Sequence, residues 1–71
     1  MFNKGDVIEL EGSEERYVVL KYFQDLGKFF IVLAKEDEPT ALKFCFLDQD
    51  KVKEITDPKL IEYISEKSLE N

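Results

Sequence analysis

Two runs of β-branched and aromatic residues, ERYVVLKYF and KFFIVLAK, lie on either side of the short segment QDLG. Runs of this composition, separated by a turn that carries Asp and Gly, predict a β-hairpin over residues 16–35. Both runs are apolar at nearly every position rather than at alternate positions. The hairpin is therefore expected to be covered on both faces, and the rest of a 71-residue chain must supply that cover.

Alternation and turn residues predict three further strands around this hairpin. In the first strand Ile8 and Leu10 share one face, so this strand is expected to be half-buried. In the second strand Val18, Leu20 and Tyr22 form a face without a charge, and we expect this face to look into the main core. The predicted strands cover residues 6–11, 16–23, 28–35, 42–47 and 51–56.

Two connections between strands, and the last strand itself, carry distinct signals. The segment 24–27 can form a loop of three or of four residues, and the choice decides on which face Phe29 and its strand neighbours lie. Residues 36–40 are predicted to be a polar break, because Pro39 cannot donate to a ladder. Val52 and Ile55 have opposite parity in the last strand, which predicts a bulge or an irregular end.

A helix over residues 58–68 is predicted to follow the strands. Asp57 is suited to the N-cap and Pro58 to the first helical position. The helix is expected to be part of the core, since a hairpin that is apolar on both faces needs cover. The residues that fall near one side at helical spacing are Leu60, Ile61, Ile64 and Leu69.

The element order predicts a mainly β fold with one helix in a single domain over residues 1–71. Its expected form is a strongly bent, five-stranded antiparallel meander, an SH3-like small barrel closed by the C-terminal helix, because closure or near-closure protects strand edges. A flat sheet backed by one helix is the alternative.

Charge and composition restrict the partners. The formal net charge is −6, with 16 acidic and 10 basic residues, so direct binding of nucleic acid or of an anionic membrane surface is not expected. The first residues show neither a signal peptide nor a membrane-spanning run, and Cys45 is the single cysteine. A reduced, cytoplasmic setting is therefore expected.

Candidate catalytic and metal-binding residues are few. The chain has no histidine, which removes the commonest general base and metal ligand. Cys45 lies between two phenylalanines and is expected to be an ordinary thiol, although the sequence leaves its reactivity open. The run from Glu36 to Glu38 lacks the spacing of a calcium loop and is expected to be a solvated loop. We predict no catalytic residue, no metal site and no cofactor, so the chain is not expected to be an enzyme.

The nine aromatic residues are expected to lie mostly in the core of so small a domain. Tyr17 and Phe23 are the leading candidates for an exposed patch that contacts a protein partner. The sequence therefore favours a small non-catalytic protein-interaction or adaptor module with an unidentified protein partner, acting as a monomer or a homodimer. The alternative is an SH3-like accessory domain associated with nucleic-acid machinery, which a basic stripe would favour. That stripe would consist of Lys21, Lys28, Lys35 and Lys43.

Two resemblances accompany these patterns. The segment GDVIELEGSEERYVVL resembles the opening hairpin of SH3-like modules in translation and transcription factors. Over nearly its full length, including Lys43–Phe44–Cys45 and the closing segment 52–58, the chain resembles a group of small acidic uncharacterised proteins of Gram-positive bacteria. The resemblance implies an SH3-like barrel and a bacterial source. It implies no activity, because that group has no established function.

Overall fold

A computed structural model describes residues 2–10, 12 and 14–70 of the chain. The elements form one antiparallel sheet in which each strand pairs with the next along the chain, followed by one helix. The five-stranded meander and the mainly β class are thus confirmed. The elements are β1 (Val7–Glu9), β2 (Arg16–Asp25), β3 (Lys28–Lys35), β4 (Glu38–Asp48), β5 (Lys51–Glu54) and α1 (Pro58–Glu70).

The sheet curls into a half-barrel and does not close. Within residues 2–10, 12 and 14–70, the sheet order ends at β1 on one side and at β5 on the other, and no pairing joins these two strands. The prediction of a closed barrel is wrong, and so is the alternative prediction of a flat sheet. The edge strands have only three and four residues, so they are too short to complete a barrel seam. Short edge strands are also one way in which proteins limit pairing between edges.

The turn between β2 and β3 is shorter than either predicted loop. Asp25 pairs with Lys28, which leaves only Leu26 and Gly27 in the turn. Both turn residues have positive φ, 52° and 73°, as a type I′ turn requires. The two-residue turn sets the register of the hairpin, so that Tyr22 pairs with Ile31.

A β-bulge in β2 overturns the predicted faces of that strand. Val19 pairs with Leu33 and Lys21 pairs with Val32, which leaves Leu20 without a partner on β3. The extra residue reverses the side-chain alternation beyond it. Tyr17 and Val19, rather than the face containing Val18 and Leu20, therefore lie deepest in the core, with 2% and 0% of their surface exposed.

Hydrophobic clusters form on both faces of the sheet, as the sequence predicts. The first cluster lies on the face away from α1, and the N-terminal residues and both edge strands pack against it. The second cluster lies between the sheet and α1. The buried members of the first cluster are Tyr17, Val19, Ile31, Leu33 and Cys45. The buried members of the second are Phe30, Val32, Ile55 and Ile64.

Strand β4 starts earlier than predicted. Glu38 pairs with Lys35, so the polar break shrinks to the turn at residues 36 and 37. Residues 39–41 have no partner on β3, because the register shifts between Ala34 and Lys35. This irregular segment accommodates Pro39, which lacks an N–H for the ladder. At the other end of the sheet, Val52 packs on the first cluster and Ile55 on the second, without a register shift in the β4–β5 ladder.

The helix begins as predicted and covers the sheet face that carries the second cluster. The Asp57 carboxylate accepts a hydrogen bond of 3.0 Å from the Lys59 N–H, as an N-cap does. Ile64 is fully buried in the second cluster, whereas Leu69, which falls near the same side at helical spacing, is 84% exposed. No helix in the described part of the chain is long and apolar enough to cross a membrane.

Candidate functional site

The end of the β2–β3 hairpin presents an exposed apolar side chain on a strained backbone. Leu26 is 63% exposed and has a φ of +52°. This conformation is unfavourable for most residues that carry a Cβ; Gly adopts it freely, and Asn and Asp adopt it more readily than Leu because their short polar side chains can bond to the local backbone. A leucine at this position therefore has neither a buried side chain nor a favourable backbone conformation. Strained residues that add nothing to the fold are found preferentially at functional sites.

A row of aromatic rings extends from this turn across the first-cluster face. The Tyr22 ring stacks on Phe29 with a centroid distance of 5.4 Å and an interplanar angle of 13°. Phe2 meets Tyr22 edge-on, with centroids 5.8 Å apart. Phe29 is 39% exposed, and Phe2 and Tyr22 are half-buried. The rings hold one another in place while leaving apolar surface open to solvent.

Asp25 fixes the turn to the helix. Its carboxylate accepts a hydrogen bond of 2.8 Å from the Leu26 N–H and one of 3.1 Å from the Tyr63 hydroxyl. Partial burial, and then the Asp25 carboxylate, raises the pKa of Tyr63, so this hydroxyl stays protonated and can donate. The Lys67 ammonium lies 5.6 Å from the centroid of the Tyr63 ring. The hydrogen bond between Asp25 and Tyr63 therefore ties the hairpin end to α1.

A groove runs beside β2 at the same end of the molecule. Beyond Val19, no described strand pairs with the outer edge of β2, because β1 reaches only as far as Val18 in the ladder. The groove has a volume of about 560 Å³ and lies between this edge and the last turns of α1. Its lining consists of residues 21–25 together with Lys67 and Glu70. These side chains carry two positive and two negative charges, so the groove is locally neutral in an acidic protein.

The two predicted contact residues lie on opposite faces of the sheet. Tyr17 is only 2% exposed, and its hydroxyl donates a hydrogen bond of 3.2 Å to Glu15. The prediction of an exposed Tyr17 ring is therefore wrong. The bulge in β2 places the Tyr17 side chain in the first cluster. Phe23 is half-buried in the second cluster, 6.0 Å from Phe30 between ring centroids, and it lines the groove. A partner contact through Phe23 stays a prediction.

The four lysines of the expected basic stripe also divide between the two faces. Lys35 contacts Glu15 at 2.8 Å and Lys43 contacts Glu54 at 3.1 Å, both on the first-cluster face. Lys28 lies over the Phe46 ring on the helix face, at 4.9 Å from its centroid. Lys21 borders the groove on that same face. The stripe that would favour a nucleic-acid-associated role does not assemble.

Cys45 is fully buried in the first cluster. Burial, and to a smaller extent the Glu54 carboxylate, raises the pKa of its thiol to about 11 from 9.0. Because the thiolate is the nucleophile, we expect the native thiol to react with a disulfide reagent at about pH 8 at least ~100-fold more slowly than the unfolded chain. The absorbance of the released chromophore measures the reaction rates of the native and the unfolded chain. Equal rates in native buffer and in denaturant would contradict the burial of this thiol.

The opposite end of the sheet is acidic. A cleft of about 220 Å³ is lined by Glu14, Glu15, Arg16, Glu36 and Asp37. Arg16 lies 3.9 Å from Glu36, and Lys35 bonds Glu15, which lowers the pKa of that carboxyl. Within the described residues, no three His, Cys, Asp or Glu side chains converge in a way that could hold a metal ion.

The sequence pattern does not single out Leu26 as a candidate. One signal was present, because an apolar residue stands between Asp25 and Gly27 where turn chemistry prefers Asn or Gly. Comparison with protein-family models, with curated proteins and with solved structures finds no match for this chain.

Proposed function

We propose that this chain is a non-catalytic protein-interaction module that binds a partner protein through the tip of the β2–β3 hairpin. Leu26 carries the proposal, because it is exposed at a strained position to which the fold gives no packing role. Phe29, 39% exposed beside it, extends the apolar surface. Asp25 and Tyr63 hold the tip in place through their hydrogen bond, so little conformational entropy is lost on binding.

The expected partner has a shallow apolar pocket that accepts a leucine side chain, with a neutral or basic rim. The net charge of −6 supports this choice, since an acidic partner surface would be repelled. A buried apolar anchor surrounded by contacts that exclude water is the usual arrangement of an interaction hot spot. Phe29 and Tyr22 would supply the surrounding contacts.

Replacement of Leu26 by Asn separates binding from folding. Asn adopts positive φ more readily than Leu, so L26N is expected to raise the free energy of unfolding by about 0.5–1 kcal/mol. The same change removes the apolar anchor and is expected to abolish partner binding. Stability is measured by urea unfolding, and binding by retention of proteins from a lysate of the source cells on the immobilised chain.

The matched control is L69N, which makes the same side-chain change at a leucine that is 84% exposed on α1. A protein retained in stoichiometric amount by the wild type and by L69N, but not by L26N, supports the proposal. If all three chains retain the same proteins, or if L26N is less stable than the wild type, the assigned role of Leu26 is wrong.

A further inference from the structure

We propose that the free edge of β2 pairs with the same edge of a second copy of this chain, in an antiparallel register centred on Phe23. This edge adjoins the hairpin tip, and its pairing with a second copy does not rest on the proposed function. It follows from the direction of the main-chain groups along β2, from the order of charges on that edge and from the groove beside it.

The main-chain groups of Tyr22 and Gln24 point away from β3. The residues that flank a two-residue hairpin turn bond to each other, and antiparallel residues alternate in the direction of their main-chain groups. Asp25 flanks the turn and points inward, so Gln24 and Tyr22 point outward. The bulge at Leu20 shifts this alternation by one residue, so Val19 also points outward. Its N–H donates to Asp6 and its carbonyl accepts from Gly5, each at 2.8 Å.

An edge with unpaired main-chain donors and acceptors is a template for strand addition. Hydrogen bonding across a two-fold axis requires that outward-pointing residues face one another. Centring on Phe23 meets this condition, because Tyr22 of each copy then faces Gln24 of the other. The bulge at Leu20 and the turn at Leu26 limit the pairing segment to residues 21–25.

The charges on this edge favour the same register. With Phe23 on the axis, Lys21 of each copy lies opposite Asp25 of the other, and the pair is formed twice. Shifting the axis to Tyr22 or to Gln24 places Phe23 opposite Lys21 or Asp25 instead. Opposite charges that face one another across antiparallel strands are favourable, and like charges are unfavourable.

The surroundings of the edge accommodate this pairing. The Asp25 carboxylate has two oxygens with several lone pairs, so it can accept from a lysine in addition to Leu26 and Tyr63. The groove of about 560 Å³ offers room for side chains of the added strand. Phe23, half-buried in each copy, would meet its own counterpart at the axis and lose its remaining exposure to water.

Sedimentation velocity of the full chain at ~0.15 M salt tests the pairing. We expect reversible dimers with a dissociation constant on the order of 100 µM, as suits a small interface, seen between about 10 µM and about 1 mM protein. Lys21→Glu is expected to weaken dimerisation about tenfold or more, because it places Glu opposite Asp25. Lys59→Glu makes the same charge change at an exposed position on α1 and is expected to leave the dimer almost unchanged.

A mixing experiment tests the register itself. Asp25→Lys places lysine opposite Lys21, so this variant alone is expected to be largely monomeric at about 100 µM, as is Lys21→Glu alone. An equimolar mixture of the two variants restores opposite charges at both positions and is expected to form heterodimers. Circular dichroism checks that each variant folds, since Asp25 also bonds Tyr63 and the turn.

Gln24→Pro is a second variant that does not depend on Asp25. It removes an outward N–H and leaves the bonds to β3 intact, so it should fold and should stay monomeric. A wild-type chain that remains monomeric at about 1 mM, well above the expected dissociation constant, overturns the proposal. The free edge would then accept an extended segment of a different protein. Dimerisation as strong in both Gln24→Pro and Lys21→Glu as in the wild type would also overturn it, since it would use another surface.

Discussion

Removal of residues 57–71 is expected to unfold the chain. The second cluster lies between the sheet and α1, so its loss exposes the apolar side chains of Phe30 and Val32 to water. The helix contributes one fully buried residue, Ile64, and three that pack around it, Leu60, Ile61 and Tyr63. Burial of one Leu or Ile side chain contributes about 1.5–3 kcal/mol, and together these residues rival the whole stability of a small domain.

Ile64→Ala tests the same contact within the intact chain. Ile64 has no exposed surface, so the substitution is expected to lower the free energy of unfolding by about 2–5 kcal/mol. The matched control is Leu69→Ala on the same helix, where 84% exposure predicts a change within about 0.5 kcal/mol. Thermal and urea unfolding followed by circular dichroism measure these effects. A truncated chain that remains monomeric and melts within a few degrees of the full-length protein would show that α1 is dispensable.

Substitutions at neighbouring positions of β3 are expected to be damaging on both faces of the sheet. Phe30 is 1% exposed in the second cluster, and Ile31 is fully buried in the first. Phe30→Ala is expected to cost about 3–5 kcal/mol and Ile31→Ala about 2–5 kcal/mol of unfolding free energy. Because the two side chains lie in separate clusters, the double variant is expected to be unfolded at room temperature.

Phe29→Ala is the control for these two substitutions. Phe29 is 39% exposed and stacks on Tyr22, so its loss is expected to cost about 1 kcal/mol. Urea unfolding of the wild type and of the three single variants measures their free energies of unfolding. If Phe30→Ala or Ile31→Ala were no more costly than Phe29→Ala, one face of β3 would not form a core.

The parts of the fold that local chemistry determines were predictable from the sequence. The Asp57–Pro58 pair starts the helix, and the alternation in the segment 42–47 correctly separates Phe44 and Phe46 from Cys45 and Leu47. The continuous apolar runs correctly indicated cover on both faces of β3. In each case a short-range signal agrees with the packing that it serves.

The parts that depend on pairing between strands were not predictable. Because both faces of β2 are apolar, the alternation of its side chains carries no information about the bulge at Leu20. The burial of Tyr17 depends on that bulge. The two-residue turn has Leu26 at a position where composition favours Gly or Asn, so the local signal disagrees with the structure. Closure of the sheet depends on how far two distant edge strands extend, which no local pattern encodes.

The order of the strands has a consequence for folding kinetics. Every strand pairs with its neighbour in sequence, so the sheet needs only short loops to close and has a low contact order for a β protein. The β2–β3 hairpin closes across two residues, whereas the hydrogen bond between Tyr63 and Asp25 joins residues 38 apart. We therefore expect the helix to dock after the sheet has formed. Until it docks, the sheet exposes Phe30, Val32 and the free edge of β2 together, and this transient species is the form of the chain most exposed to aggregation.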